Sequence, residues 1–329
     1  MGTILTVKVV PSAARAVLSG VRLLPDKTIQ AALKACLGEA SFKIRERGPL
    51  TKASSFPIEK LEIESPSRGR IQLVCKHLSV DAMLEGAAAA KPRFALDPLR
   101  EAAVYLDLLA PLQDELGTAR LLGFENGLLF IECVQGAELY ERGLESWKAA
   151  AQWLRRFHGC SLHHSPNLDS RLLHFDAAWF GKWADRAGRF LTMAKDGREQ
   201  VQAFESARDE FLERVEDIES YPQGVIHGEF YASNVLAEET SAGLRIVPID
   251  WEMCGVGPQW LDLAALTSGP WTPEDITQIE DAYGLDDRDR PKAAFLRRAL
   301  ALQWLGWSAD WIPPEGQRQN WLDAFLSDR

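Results

Sequence analysis

No run of apolar residues in this chain approaches the roughly eighteen needed to cross a bilayer, so no helical membrane span and no membrane partner are expected. Cysteine is scarce: Cys36, Cys75, Cys133, Cys160 and Cys254 are scattered, odd in number and without a C-x-x-C pair. That usage suits a reducing cytoplasm and argues against a disulfide framework or a zinc site. The cluster His158, Cys160, His163 and His164 matches no common zinc spacing and reads as a helix end with exposed histidines. The first residues lack a basic stretch followed by a clean apolar one, so a secretory signal is not expected. Positive charge is in deficit, 37 Lys and Arg against 47 Asp and Glu. Phosphate neutralisation needs clustered basic residues, so nucleic acid is not expected as a partner. Internal repeats and low-complexity tracts are missing too.

What remains is a globular composition, 46% hydrophobic and 26% charged, over 329 residues. A chain of that length usually outgrows one core, and two lobes are expected. Their charges differ in sign. Residues 1–100 hold 16 basic and 9 acidic side chains, a net +7, whereas residues 101–329 hold 21 and 38, a net −17. Charge alone says only that two surfaces are solvated differently. Its sharper reading puts an anionic ligand under the first part and a cationic one beside the second.

The first 100 residues read as strand-rich. A helix starts at Asp26 as N-cap and ends near Gly38. Strands follow at 41–47, 56–64 and 71–76, separated by the turn-prone Gly48 to Ser55 and by Ser65-Pro66-Ser67-Arg68-Gly69. A helix over Leu99 to Leu109 comes next, then two strands within 119–134 around Glu125-Asn126-Gly127, the strongest hairpin signal in the chain. The run Leu128-Leu129-Phe130-Ile131 is apolar throughout and therefore central; Gln135-Gly136-Ala137 ends it. We expect a β-rich N-terminal lobe over 1–134 and a helical C-terminal lobe over 135–329. The latter has helices at 144–158, 175–195 and 198–219, a strand–loop–strand island at 224–250, and further helices to the end. Trp304, Trp307, Trp311 and Trp321 crowd those last helices with Asp310. They read as a core closing the lobe rather than as an aromatic pocket for an amine.

The island carries the chemistry. Residues 224–236 read Gly-Val-Ile-His-Gly-Glu-Phe-Tyr-Ala-Ser-Asn-Val-Leu, so an apolar pair delivers His227, Glu229 and Asn234 onto one loop. A second apolar strand ends in Asp250-Trp251-Glu252. Carboxylate and carboxamide oxygens together suit a hard cation such as Mg²⁺, with water and substrate phosphate completing its shell.

This stretch resembles the H-G-D-x-x-x-x-N … I-D-W-E pattern of the aminoglycoside phosphotransferase/choline kinase family, small-molecule relatives of the protein kinases. Asp262 in Trp260-Leu261-Asp262-Leu263-Ala264 is similar to the family's downstream Asp-Leu-Ala helix, and Trp153 to His158 resembles its Leu-x-x-Leu-His helix end. The likeness spans roughly residues 40 to 270. It implies a two-lobed, protein-kinase-like α+β fold with a small antiparallel sheet and a larger helical part, and an enzyme using ATP (or GTP) and Mg²⁺. It further implies that Lys76 meets nucleotide phosphates with Glu101 as its ion-pair partner. Asn234 and Asp250 then hold Mg²⁺, and Glu229 and Asn234 act in catalysis. Ser54 and Ser55 approach phosphate, Glu132 and Val134 in the hinge meet the base, and His227 and Asp262 are scaffold.

Two departures stand out. The family has Asp where this chain has Glu229, and one methylene more moves the carboxylate by about 1.5 Å. The phosphate loop, Gly48 to Ser55, keeps a single glycine. The expected activity is transfer to a hydroxyl of a small molecule, with an amine-bearing acceptor favoured by the acidic second part. Glu229 motivates a rival, a catalytically weak nucleotide-binding pseudokinase or scaffold. A kinase of peptide Ser or Thr is the other, and the −17 speaks against it for acidic peptides.

Overall fold

The Asn126-Gly127 pair has positive φ at both residues (53° and 78°), the type I′ geometry whose twist matches flanking antiparallel strands. It joins β4 (Leu121–Glu125) to β5 (Leu128–Glu132) in a computed structural model. The structure describes residues 24–39, 41–50, 55–160, 166–193, 197–269, 271–307 and 316–327. With β1 (Lys43–Pro49), β2 (Ile58–Ser65) and β3 (Gly69–His77), this hairpin forms one antiparallel sheet in the order β1-β2-β3-β5-β4.

Strand alternation decides what each face does. Leu61, Ile63, Leu73, Cys75, Leu128 and Phe130 point to one side and are covered by Ile29, Ala32, Leu33 and Leu37 of the helix Asp26–Leu37. Pro25, not Asp26, occupies the cap of that helix, and Asp26 is its first residue. Proline's fixed φ suits the entry to a helix. The opposite side carries Val74, Leu129 and Ile131 toward the main core, and with them Lys76, which pairs in register with Leu129. β5 is thus buried on both faces, the reason its sequence lacks alternation.

The expected helix after Pro98 begins at Arg100 and runs on past Leu109 through a π-helical stretch (Val104–Leu109) to Leu116. The later helices are Leu144–Gly159, the short Pro166–Asp169, Ala177–Met193, Arg198–Arg214, Trp260–Thr267, Pro273–Tyr283, Arg290–Trp307 and Gln317–Ser327. Trp304 and Trp321 are buried among them, as a core reading requires, while Trp311 and Asp310 lie outside the described residues. Two small sheets interrupt the helices. One has the order β10-β9-β6, from β6 (Ala137–Glu138), β9 (Val235–Thr240) and β10 (Gly243–Pro248). The other has the order β7-β11-β8, from β7 (Leu173–His174), β8 (Gln223–Ile226) and β11 (Gly255–Pro258). The expected single island is therefore split: the strand before His227 and the strand before Asp250 belong to different sheets. None of the helices described is long and apolar enough to cross a membrane.

Candidate active site

Lys76 leaves the inner face of β3 and meets two carboxylates. Its ammonium donates to both oxygens of Glu101 at 2.7 and 2.9 Å and to Asp250 Oδ1 at 2.8 Å. Lys76 and Glu101 are only 4% and 1% exposed, so these charges face each other in a dry interior. Burial opposes the ammonium, yet Asp250 and Glu101 together hold Lys76 above the ordinary lysine range. Burial would raise Asp250 as well, but Lys76 prevails and keeps it below the usual carboxylate range. Glu101 is pushed up to about 7, because burial outweighs the pull of Lys76 there.

Asp250 is one of two described non-glycine residues with positive φ, at 66°. A left-handed aspartate costs about 1–3 kcal/mol and persists where its surroundings hold it. Here β10 pairs with β9 up to Pro248, Ile249 N–H donates to Asn234 C=O at 2.8 Å, and a 3₁₀ turn begins at Trp251. The same Ile249–Asn234 bond ties the two oxygen-bearing residues together. Asn234 Nδ2 donates to Glu229 C=O at 3.1 Å, which turns the other end of its amide, Oδ1, away with no partner among the described residues.

The loop between β8 and Asn234 is fixed from below by Asp262. This fully buried carboxylate accepts from His227 N–H at 2.7 Å and Gly228 N–H at 2.9 Å. His227 has both ring nitrogens occupied by backbone: Nε2 donates to Ile249 C=O at 3.0 Å and Nδ1 accepts from Glu229 N–H at 3.3 Å. That pairing specifies the neutral tautomer, and burial lowers its pKa further. His227 is in no state to act as a base. The His158 side chain is not exposed as expected; it lies buried between Asp262 Oδ2 (3.3 Å) and the Tyr283 hydroxyl (3.0 Å). His163 and His164 lie outside the described residues.

Glu229 projects beside this scaffold. Burial, with Glu252 and Asp250 nearby, pushes its carboxyl up to about 8. Ser55 is buried and donates to Glu252 Oε1 at 2.8 Å, and Lys91 Nζ lies 2.7 Å from Glu252 Oε2. Ser54 lies outside the described residues. At the end of β5, Glu132 N–H donates to Arg120 C=O and its side chain takes a bidentate contact from Arg245, at 2.8 and 2.9 Å. Cys133 and Gln135 N–H are likewise taken, whereas the Val134 N–H has no partner among the described residues.

The sequence profile described as "Phosphotransferase enzyme family" matches residues 88–296. The chain belongs to that family. No curated protein matches this phosphotransferase, but solved structures do. A microcompartment-associated aminopropanol kinase superposes with a TM-score of 0.60 at 16% identity, over 92% of this chain and 95% of that one. The ternary complex of streptomycin and ATP with APH(2")-IIa gives 0.59 at 13%, over 93% and 100%. An ethanolamine kinase of Plasmodium vivax gives 0.56 at 14%, over 86% and 81%. The fold is that of the small-molecule kinases, with the antiparallel sheet first and the helices after it, as the resemblance implied.

Within this phosphotransferase, Lys76, Glu101 and Asp250 meet directly, and Asn234 and Glu229 share a loop beside them. Sequence reasoning missed Lys91 altogether and gave Glu252 no part. Lys91 follows a run of alanines and sits in no motif. Glu252 stood inside the quoted Asp250-Trp251-Glu252, a signal that could have been used.

Proposed function

We propose that this chain is an ATP- (or GTP-) and Mg²⁺-dependent small-molecule kinase that phosphorylates a hydroxyl of an amine-bearing acceptor in the cytoplasm. The observation that carries this reading is the buried Lys76, bonded at once to Glu101 and Asp250, with the Glu229–Asn234 loop beside it. Residues 1–134 would then hold the nucleotide, and residues 135–329 the catalytic loop and the acceptor.

Phosphoryl transfer passes through a loose transition state, so positioning and charge neutralisation do most of the work. Lys76, steered by Glu101, neutralises nucleotide phosphate. Ser54, Ser55 and the loop before them supply backbone donors, and the hinge at Glu132 and Val134 meets the base, with the open Val134 N–H as its donor. Glu229 orients the acceptor hydroxyl and takes its proton late. His227 and Asp262 hold the loop. Asn234 Oδ1 and the Asp250 carboxylate are the donor pair for the metal. Among the described residues no three His, Cys, Asp or Glu side chains converge, which fits a cation that takes its other ligands from phosphate and water. Mg²⁺ held there would neutralise phosphate charge as it develops during transfer.

An amine-bearing acceptor is supported by the net −17 of residues 101–329 and by the aminopropanol, ethanolamine and streptomycin named for the structural relatives. One observation favours a second reading: burial lifts the Glu229 carboxyl to about 8, so most of it is protonated at neutral pH and only the ionised fraction can accept the hydroxyl proton. A nucleotide-binding scaffold would need no base. Mass spectrometry of a panel of hydroxyl-bearing metabolites, incubated with ATP and Mg²⁺, separates the two. A kinase adds one phosphoryl mass to an amine-bearing member, and Asp250→Asn abolishes the gain. Nucleotide binding with no product from any acceptor, unchanged by Glu229→Gln, would support the scaffold. Strong turnover of an anionic acceptor would overturn the amine.

A further inference from the structure

Lys91 is the second buried ammonium of the site. It caps the helix Glu85–Ala90, and its side chain turns inward until only 7% is exposed. Two contacts hold it, Glu252 Oε2 at 2.7 Å and Ser55 Oγ at 3.1 Å, and an ammonium has three donors. Lys76, in contrast, spends all three on Glu101 and Asp250. A nucleoside triphosphate brings more negative charge than Lys76 can neutralise from that position.

The location of Lys91 is specific. Ser55 closes the segment that begins at Gly48, and Glu252 lies two residues beyond Asp250. Lys91 is also a positive charge felt by both Glu229 and Asp250. The phosphoryl group in flight must pass between the residue beside the acceptor and the residue beside the metal. Moreover, Glu252 does not depend on Lys91 for its place. Arg100 Nη1 donates to the Glu252 carbonyl and to Ala95 C=O (3.1 Å), and its Nε donates to Arg171 C=O (2.6 Å). Lys91 can therefore exchange one anionic partner for another without loosening the 3₁₀ turn Trp251–Met253.

We propose that Lys91 is a further catalytic residue of this phosphotransferase, whose ammonium passes from Glu252 to the γ-phosphoryl oxygens when a nucleoside triphosphate binds. This rests on the kinase reading above. In the step it serves, the acceptor oxygen forms a bond to the γ-phosphorus while the bond from that phosphorus to the β,γ-bridging oxygen breaks. The nucleoside diphosphate departs with the electron pair, and the acceptor proton goes to Glu229. Lys91 holds the non-bridging oxygens throughout, where charge spreads in a loose transition state.

The test compares two probes on the full chain with Mg²⁺: ADP and the β,γ-imido analogue of ATP, by titration calorimetry. A charge-assisted contact to the γ-phosphoryl predicts that Lys91→Met weakens the imido analogue roughly tenfold to a hundredfold and ADP by no more than about twofold. Lys91→Arg keeps a cation and restores most of the difference. Glu252→Gln leaves the ammonium in place but removes its competing anion, so the preference for the imido analogue holds or grows. Turnover by Lys91→Met falls in kcat, with the acceptor KM unchanged. Equal weakening of both nucleotides would make Lys91 a structural clamp and overturn the proposal, as would no change in either or a lost preference in Glu252→Gln. Failure of the wild-type protein to bind either nucleotide would instead remove the kinase reading itself.

Discussion

Glu229 carries a cost that can be measured. Burial and the neighbouring Glu252 and Asp250 lift its pKa from 4.5 to about 8. Between those values the folded protein keeps a proton that the unfolded chain has lost, so the contribution of Glu229 to stability declines as pH rises through that window. Above about 8 the folded state holds an ionised carboxylate with no ammonium bonded to it, and the full penalty applies. Glu229→Gln removes the charge at nearly constant volume. We expect almost no difference in melting temperature near about pH 4, below the window, and a gain of a few degrees over the wild type near about pH 8.5. Calorimetric or fluorescence melts at the two pH values test this, and a gain of equal size at both would mean that ionisation is not the cause. Such a gain alongside lost turnover is the pattern of a residue kept for chemistry rather than for folding.

The loop from β8 to Asn234 depends on two buried features, one steric and one polar. Gly228 has φ +81°, and a Cβ there would lie 2.3 Å from the Met253 carbonyl oxygen, a backbone atom that cannot step aside. Gly228→Ala is expected to cost about 3 kcal/mol from strain and forced backbone shift, read as a lower urea midpoint at constant m. Asp262→Ala would leave the His227 and Gly228 N–H groups buried and unpaired. At about 1–3 kcal/mol each this is a loss of similar size, and Asp262→Asn, which can accept only one of the two, falls between. Much of this element was legible in the sequence. His227, Asn234, Asp250 and Asp262 declared themselves by spacing, and Lys76 by its place at the end of an apolar strand. Asn126-Gly127 gave its hairpin by turn chemistry alone. What escaped were partners brought together across long separations. Lys91 meets Glu252 161 positions away, and Arg245 reaches Glu132 over 113, and no local period carries such contacts. β6 and β7 are two residues long, and β11 is four with two glycines, too short for any alternation to register. His158 was misread because the end of a helix looks exposed in sequence, whereas Asp262 and Tyr283, far along the chain, close over it.

At the scale of the whole molecule, four ion pairs among the described residues join residues 1–134 to residues 135–329, one of them Asp97 to Arg171 at 2.9 Å. Lys76 reaches Asp250 and Lys91 reaches Glu252 inside the site, and both are where a nucleotide and its metal would insert. The Arg245 pair joins β10 to the end of β5, outside that site, and would remain when a ligand enters. From β10, its guanidinium grips both oxygens of Glu132 at the end of β5 and Glu238 on β9 at 2.9 Å. It also donates to the carbonyls of Gly117 and Thr118, each at 2.9 Å. Glu238 in turn accepts from Gln135 N–H at 3.0 Å, so the residues on either side of Val134 are fixed through one side chain. Planar, five-donor geometry is what such a junction needs, and a lysine could serve only part of it. Arg245→Met is therefore expected to cost about 2–4 kcal/mol, less than a fully buried pair because a quarter of the side chain is exposed. Arg245→Lys should recover less than half of that. A double-mutant cycle with Glu132→Gln should give a coupling of about 1–3 kcal/mol, measured by urea unfolding. Because the hinge N–H at Val134 is held in register by this junction, nucleotide KM should rise in Arg245→Met while kcat stays near the wild-type value. A fall in kcat at constant KM would place the effect of Arg245 at the phosphates instead, and the hinge assignment of Val134 would have to be abandoned.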